Sequence, residues 1–212
     1  RQNKMIGAVI ADMLSMKKVV KLYLIVSVIY IALGIFNGGG SAMVSFLIFF
    51  AVMLVLASFS YNDICHWDKF INVTPVRRIE IVAAKYIFAL IAVALSALIG
   101  EIVLYVTGEL NGRPLEEDMI SMLVVSGIGI VYLGIMLPIL FKVGAEKGRI
   151  IMFVVLVVPV VGALLISKDP EMIEAINQLD FRIAAAAAPF AVAAIFVISF
   201  FISYKIYKSK EF

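Results

Sequence analysis

The chain has 212 residues, 64% of them hydrophobic, with a formal net charge of +3 and a mean hydropathy of +1.10. Soluble domains carry about half apolar residues, and no single core of this size could hide the excess, so residues 1–212 are expected to form one membrane domain without a separate soluble one. A lone Cys65 and a lone His66 exclude an internal disulfide framework and fall short of the four or so ligands of a structural zinc site.

Met5 reads as an initiator, with Arg1–Lys4 ahead of it. No cleavable signal peptide is expected, because the first apolar run leads straight into further membrane segments. Ile6, Val9, Ile10, Met13 and Met16 recur at helical spacing, with Gly7, Ala11, Asp12, Ser15 and Lys18 opposite. This predicts an amphipathic interfacial helix over 5–18 on the cytoplasmic leaflet, the alternative being an extension of the first span.

A spanning helix needs about 20 apolar residues. Six such runs follow, at 19–36, 41–60, 83–106, 119–141, 150–167 and 183–204. The expected fold class is therefore all-α, a polytopic membrane protein with six transmembrane helices. Lys21 in the first run would snorkel to the interface. Asn37-Gly38-Gly39-Gly40 makes a tight turn, so the first two spans form an antiparallel hairpin.

Orientation follows from the Lys/Arg bias of the connections. With the N-terminus cytoplasmic, Arg1, Lys4, Lys17, Lys18, Lys21, Lys69, Arg77, Arg78, Lys85, Lys142, Lys147, Arg149, Lys205, Lys208 and Lys210 lie inside. Arg113, Lys168 and Arg182 fall outside, among Glu109, Glu116, Glu117, Asp118, Asp169, Glu171, Glu174 and Asp180. Both termini are thus expected to be cytoplasmic in a multi-pass protein of the cell membrane.

Between spans two and three lies the longest polar stretch. On a helix, Ile64, Trp67, Phe70 and Ile71 share one side, with Cys65, His66, Asp68 and Lys69 on the rest. An aromatic face on a short cytoplasmic helix needs a partner to bury it. Thr74 precedes Pro75, which disfavours helix at Thr74 and suits a new helix capped by Thr74 with Pro75 at its first position.

Within the spans, Ala92, Ser96 and Gly100 stand four apart and predict a close helix-packing seam, inside the subunit or across a dimer. Glu101 is the one acid inside a span and a candidate functional group. It lies about five residues, ~7 Å, beyond the middle, within reach of the outer interface. Pro159 and Gly162 interrupt the fifth span and Pro189 the sixth. Each is an expected kink and a candidate hinge.

No G-x-x-x-x-G-K-[ST] loop is present, so this chain is not expected to bind or hydrolyse a nucleotide itself. Gly127-Ile-Gly129 lies inside a span and lacks the dinucleotide fingerprint, which points to packing. Cys65 and His66 adjoin and would diverge by about 100° on a helix, so nucleophilic catalysis has no support. Neither a nucleic-acid partner nor a metal is expected.

The run Tyr61-Asn-Asp63, Trp67-Asp-Lys-Phe70, Thr74-Pro-Val-Arg-Arg-Ile-Glu-Ile-Val82 and Lys85-Tyr86 resembles the cytoplasmic segment of type-2 ATP-binding-cassette permeases. It reads like the segment of their small-permease branch and resembles the membrane subunits of phenol-soluble-modulin (amphipathic peptide) exporters. It departs from them at Val73-Thr74-Pro75, where Ser-Leu-Pro is usual. The resemblance implies a coupling helix within 61–82. It implies paired permeases, as a homodimer or with a second permease, above two cytoplasmic ATPase subunits that bind ATP and Mg; the permease itself would hold no cofactor. Asp63, Ile64, Trp67, Asp68, Lys69, Phe70, Ile71, Pro75, Arg77 and Arg78 become the ATPase-docking candidates. The cargo would be an amphipathic peptide, a lipid or a hydrophobic drug, because apolar walls favour all three. A proton- or ion-coupled secondary transporter is the rival reading, but it calls for several intramembrane ionisable groups or internal repeats. A non-transporting assembly subunit is a further alternative.

Overall fold

The computed structural model describes residues 17–37, 40–64, 77–111, 115–166 and 181–210. The expected interfacial helix lies outside these residues except for its last two, which open the first helix. Trp67, Asp68, Lys69, Phe70, Ile71 and Pro75 also lie outside them.

The described residues are helical almost throughout: α1 (Lys17–Asn37), α2 (Gly40–Ile64), α3 (Arg78–Asn111), α4 (Leu115–Ile166) and α5 (Phe181–Ser209). Lipid offers the backbone no hydrogen-bond partner, so apolar runs of this length close their bonds internally as helix. Phe46–Ile64, Arg78–Val106, Met119–Pro159 and Ala187–Ser209 are long and apolar enough to cross a membrane, and Val19–Leu33 is an apolar but shorter helix. Large apolar side chains also face outward, among them Leu22, Leu123, Phe190 and Phe201. Apolar surface both inside and outside marks a bundle solvated by lipid.

α1 and α2 form the hairpin that the glycine turn predicts. Tyr30 meets Phe46 at 5.3 Å, while Tyr23 meets Phe50 at 6.3 Å, the descending pairing of antiparallel neighbours.

α4 differs most from expectation. The charged stretch 142–149 reads as a loop between two spans, yet helix runs through it, broken only at Gly144 (φ 78, ψ 177). That conformation is essentially confined to glycine. The two sides fold back on each other there. The Tyr132 hydroxyl donates to the Met152 carbonyl at 2.9 Å, whereas 20 residues of straight helix would separate them by about 30 Å. Gly148 completes the fit, since a Cβ there would lie 2.5 Å from Leu140 Cδ2. Lys142, Glu146, Lys147 and Arg149 are exposed on the helix ends, which is why their charge does not unwind the backbone. Among the described residues, five helices thus make six helical rods.

α2, α3 and the first arm of α4 form the core, with Val55, Val82, Ala89 and Leu137 fully buried. Between lipid-solvated helices, association rests on packing and interhelical hydrogen bonds rather than on a hydrophobic drive. Buried hydroxyls supply such bonds here. The Tyr86 hydroxyl lies 2.6 Å from Ser199 Oγ and 2.7 Å from Ser203 Oγ, and Ser199 in turn donates to the Gly134 carbonyl. That chain joins α3, α5 and α4. Ala92, Ser96 and Gly100 are all buried within the subunit, and Ser96 Oγ lies 2.5 Å from the Tyr23 hydroxyl of α1. Gly129 admits Ile48, whose Cγ2 would lie 2.5 Å from a Cβ at that position.

No break falls at Pro159, Gly162 or Pro189. α4 and α5 stay helical through them, and both prolines are exposed.

Candidate functional site

One set of interhelical polar contacts gathers at one end of the bundle. The end of α2, the start of α3, the Gly144 corner of α4 and the last turn of α5 meet there.

α2 ends at Ile64, and Asp63 sits in its last turn. The Asp63 carboxylate leaves its own helix to accept the Ala145 N–H at 2.7 Å. Ala145 opens the second arm of α4, so its N–H is one of the four donors a helix start leaves without an intrahelical acceptor. Asp63 thus caps a helix 82 residues away in sequence.

α3 begins at Arg78, three positions beyond the start expected from Pro75. Arg77 takes the cap position. Its carbonyl accepts the Glu80 and Ile81 N–H groups, while Glu80 Oε2 accepts the Arg77 N–H at 3.0 Å. This is the return half of a capping box, with the Glu at the third helical position. Arg78 reaches across to α5, where its Nη1 donates to the carbonyls of Tyr207, Lys208 and Lys210 at 3.5, 2.5 and 3.3 Å. A cation on the unsatisfied carbonyls of a helix C-terminus is favoured by both hydrogen bonding and the macrodipole.

Lys85 is 3% exposed, inside the apolar stretch of α3. Its Nζ donates to Ser58 Oγ at 2.5 Å and lies 5.1 Å from the Phe59 ring centroid. In the amide orientation that satisfies both groups, Asn62 Oδ1 accepts from Lys85 Nζ at 2.8 Å. A buried cation needs such partners, and all three lie on α2. Asn62, Asp63, Lys85 and Lys210, with Phe59 and Phe141, line a pocket of about 20 Å³, room for one water. Phe59, Phe141 and Tyr207 stack edge to face at 5.0 and 5.6 Å, closing α2, α4 and α5 over the pocket. Among the described residues no three His, Cys, Asp or Glu side chains gather to hold a metal.

A family model described as ABC-2 family transporter protein matches residues 8–208. The chain belongs to the ABC-2 transporter family. It is a membrane permease, and its helices are the multi-pass part of an ABC transporter. No curated protein and no solved structure matches the chain.

The permease's expected docking residues divide into two groups. Asp63, Ile64, Arg77 and Arg78 lie together at the gathered helix ends. Ile64 is 76% exposed, and the Arg77 side chain is exposed as well. The remaining candidates lie outside the described residues. Glu101 is exposed on a stripe of α3 with Leu98, Ile102 and Tyr105. Three residues at this end escaped the sequence reading as structural anchors: Gly144, Lys85 and Tyr86. Lys85 counted as a cytoplasmic charge, although Val82, Lys85, Ala89 and Ala92 follow the three- and four-residue spacing of one buried face. That spacing was the available signal.

Proposed function

We propose that this permease is the membrane subunit of an ATP-driven exporter whose energy comes from a separate cytoplasmic ABC-type ATPase docked on residues 61–82. In this reading the chain spans the membrane six times with both termini cytoplasmic, the six helical rods and the Lys/Arg bias agreeing. It works as a pair, a homodimer or with a second permease, above two ATPase subunits that bind ATP and Mg. The route runs between the two permeases, since one bundle this small leaves little room for a peptide. The cargo is an amphipathic or hydrophobic peptide, with lipids and hydrophobic drugs as the other members of its chemical class.

One observation carries the reading. The connection between α2 and α3 is tied at both ends into other helices: Asp63 to the corner of α4, and Arg78 to the end of α5. Lys85 bonds α3 to α2 directly above it. A displacement of this connection by a partner is therefore passed to four helices. A coupling segment needs that property, and a merely solvated loop does not. Trp67 and Phe70 would provide the partner's anchor, as aromatic side chains do at the centres of interfaces.

The secondary-transporter reading needs linked ionisable groups across the membrane. Lys85 and Glu101 stand 16 residues apart on α3, about 24 Å, and Lys85 is held by Ser58 and Asn62. Co-purification tests the choice. Expressed with the ATPase encoded beside it, the permease should bring down that ATPase, and cargo should stimulate hydrolysis. A transport-active permease that retains no ATPase would contradict the proposal.

A further inference from the structure

We propose that Asp63 is a positioning residue for energy coupling: a latch that fixes the Gly144 corner of α4 to the end of α2, so that the end of α2 and the α4 hairpin move as one body. This rests on the reading of 61–82 as the ATPase-docking segment, and assigns Asp63 a role distinct from contact with the ATPase.

Three observations support the latch. First, the contact is interlocked from both sides. Asp63 Oδ2 accepts the Ala145 N–H at 2.7 Å, and a Cβ at Gly144 would lie 3.1 Å from the same oxygen. The glycine therefore serves two ends: it adopts the φ of 78° that turns the chain, and it clears the space the carboxylate enters. Second, Asp63 is badly placed for its own helix. A carboxylate in a last turn faces the negative end of the macrodipole, whereas one at a helix start faces the positive end. Asp63 lies in the last turn of α2 but at the start of the second α4 arm, so the favourable term comes from the tertiary contact. Third, Asp63 is the last polar side chain of α2 before residues 65–76, and it shares the small pocket with Lys85 and Lys210.

The test uses the permease–ATPase complex in liposomes, with ATP hydrolysis and cargo export measured together. In Asp63→Ala complexes that carry the ATPase, export per ATP hydrolysed should fall at least fivefold. Asp63→Asn keeps an oxygen that accepts the Ala145 N–H, and should restore most of the ratio. Gly144→Ala, which attacks the latch from the other side, should uncouple as Asp63→Ala does. A merely structural role would lower folded yield, hydrolysis and export together and leave their ratio unchanged.

A second measurement does not depend on a damaged latch. With Cys65 replaced by Ser, spin labels at Ile64 and Lys147 should keep one separation in nucleotide-free and ATP-bound complexes. A wild-type export ratio in Asp63→Ala, loss of the ATPase from that variant, failure of Asp63→Asn to rescue, or a label separation that changes by more than 5 Å would each overturn the latch. A wild-type complex without any ATPase would overturn the docking reading, and the latch as a coupling device with it.

Discussion

The Arg78 guanidinium donates to the Lys208 carbonyl at 2.5 Å, joining the first turn of α3 to the last turn of α5 across 130 residues of sequence. The two neighbouring contacts, to Tyr207 and Lys210, make Arg78 the cap of α5. Arg78→Ala should destabilise the purified permease by about 1–2 kcal/mol, the range of charge-assisted bonds at a helix end. Arg78→Lys should recover only part: all three contacts come from the single nitrogen Nη1, which an ammonium could replace, but the lysine side chain is shorter and its charge more strongly hydrated. Thermal unfolding in detergent measures both. An Arg78→Ala protein as stable as wild type would remove Arg78 from the set of anchors.

Tyr86 is 4% exposed and combines two functions. Its ring packs edge to face on Phe196 and Phe200 at 5.0 and 5.3 Å, while its hydroxyl meets Ser199 and Ser203. Tyr86→Phe keeps the ring and should cost about 1 kcal/mol, the scale of interhelical hydrogen bonds in membranes. Tyr86→Ala loses the packing too and should cost about 3–5 kcal/mol. Unfolding of the two variants side by side separates the terms; equal losses would mean that the ring contributes nothing beyond the hydroxyl.

Much of this architecture is legible in the sequence, for physical reasons. Apolar runs near 20 residues must be helical in lipid, and the glycine turn at 38–40 leaves α1 and α2 no choice but a hairpin. The corner of α4 is less visible. Lys142, Glu146, Lys147 and Arg149 look like loop, because composition reports solvent exposure and not backbone geometry. One glycine with a positive φ is enough for the reversal, and nothing in its neighbours marks it. The ends of the 61–82 stretch are visible as polar residues, yet the partners of Asp63 and Arg78 come from 82 and 130 residues away. Pairing at that separation leaves no local pattern. Glu80 shows the opposite case. Its cap acts three residues back, within the reach of a sequence motif, but the Thr74-Pro75 pair offered a more familiar signal and drew the expected start upstream.

Topology can be checked by labelling. With Cys65 replaced by Ser, cysteines at Glu116 and Lys210 should differ: a membrane-impermeant thiol reagent should reach the first from outside intact cells and the second only after lysis. Equal labelling from outside would overturn the cytoplasmic placement of the C-terminus and with it the six-span arrangement.

Trp67→Ala should weaken docking of the ATPase by about 2 kcal/mol or more, as loss of an aromatic anchor does. That corresponds to roughly thirtyfold in affinity. The permease itself should stay folded. Binding of the purified ATPase to permease in nanodiscs gives the number, and unchanged affinity would move the docking site away from the Trp67 face.

The source of energy is the central claim, and one reconstitution addresses it most directly. Permease and ATPase are placed together in liposomes, and cargo movement is compared under ATP without an ion gradient and under a proton gradient without ATP. The account predicts export in the first condition alone, with most of it retained in Glu101→Gln, because that carboxylate is exposed on α3 and stands about 24 Å along the helix from Lys85. Gradient-driven export by the permease on its own, abolished by Glu101→Gln, would contradict it.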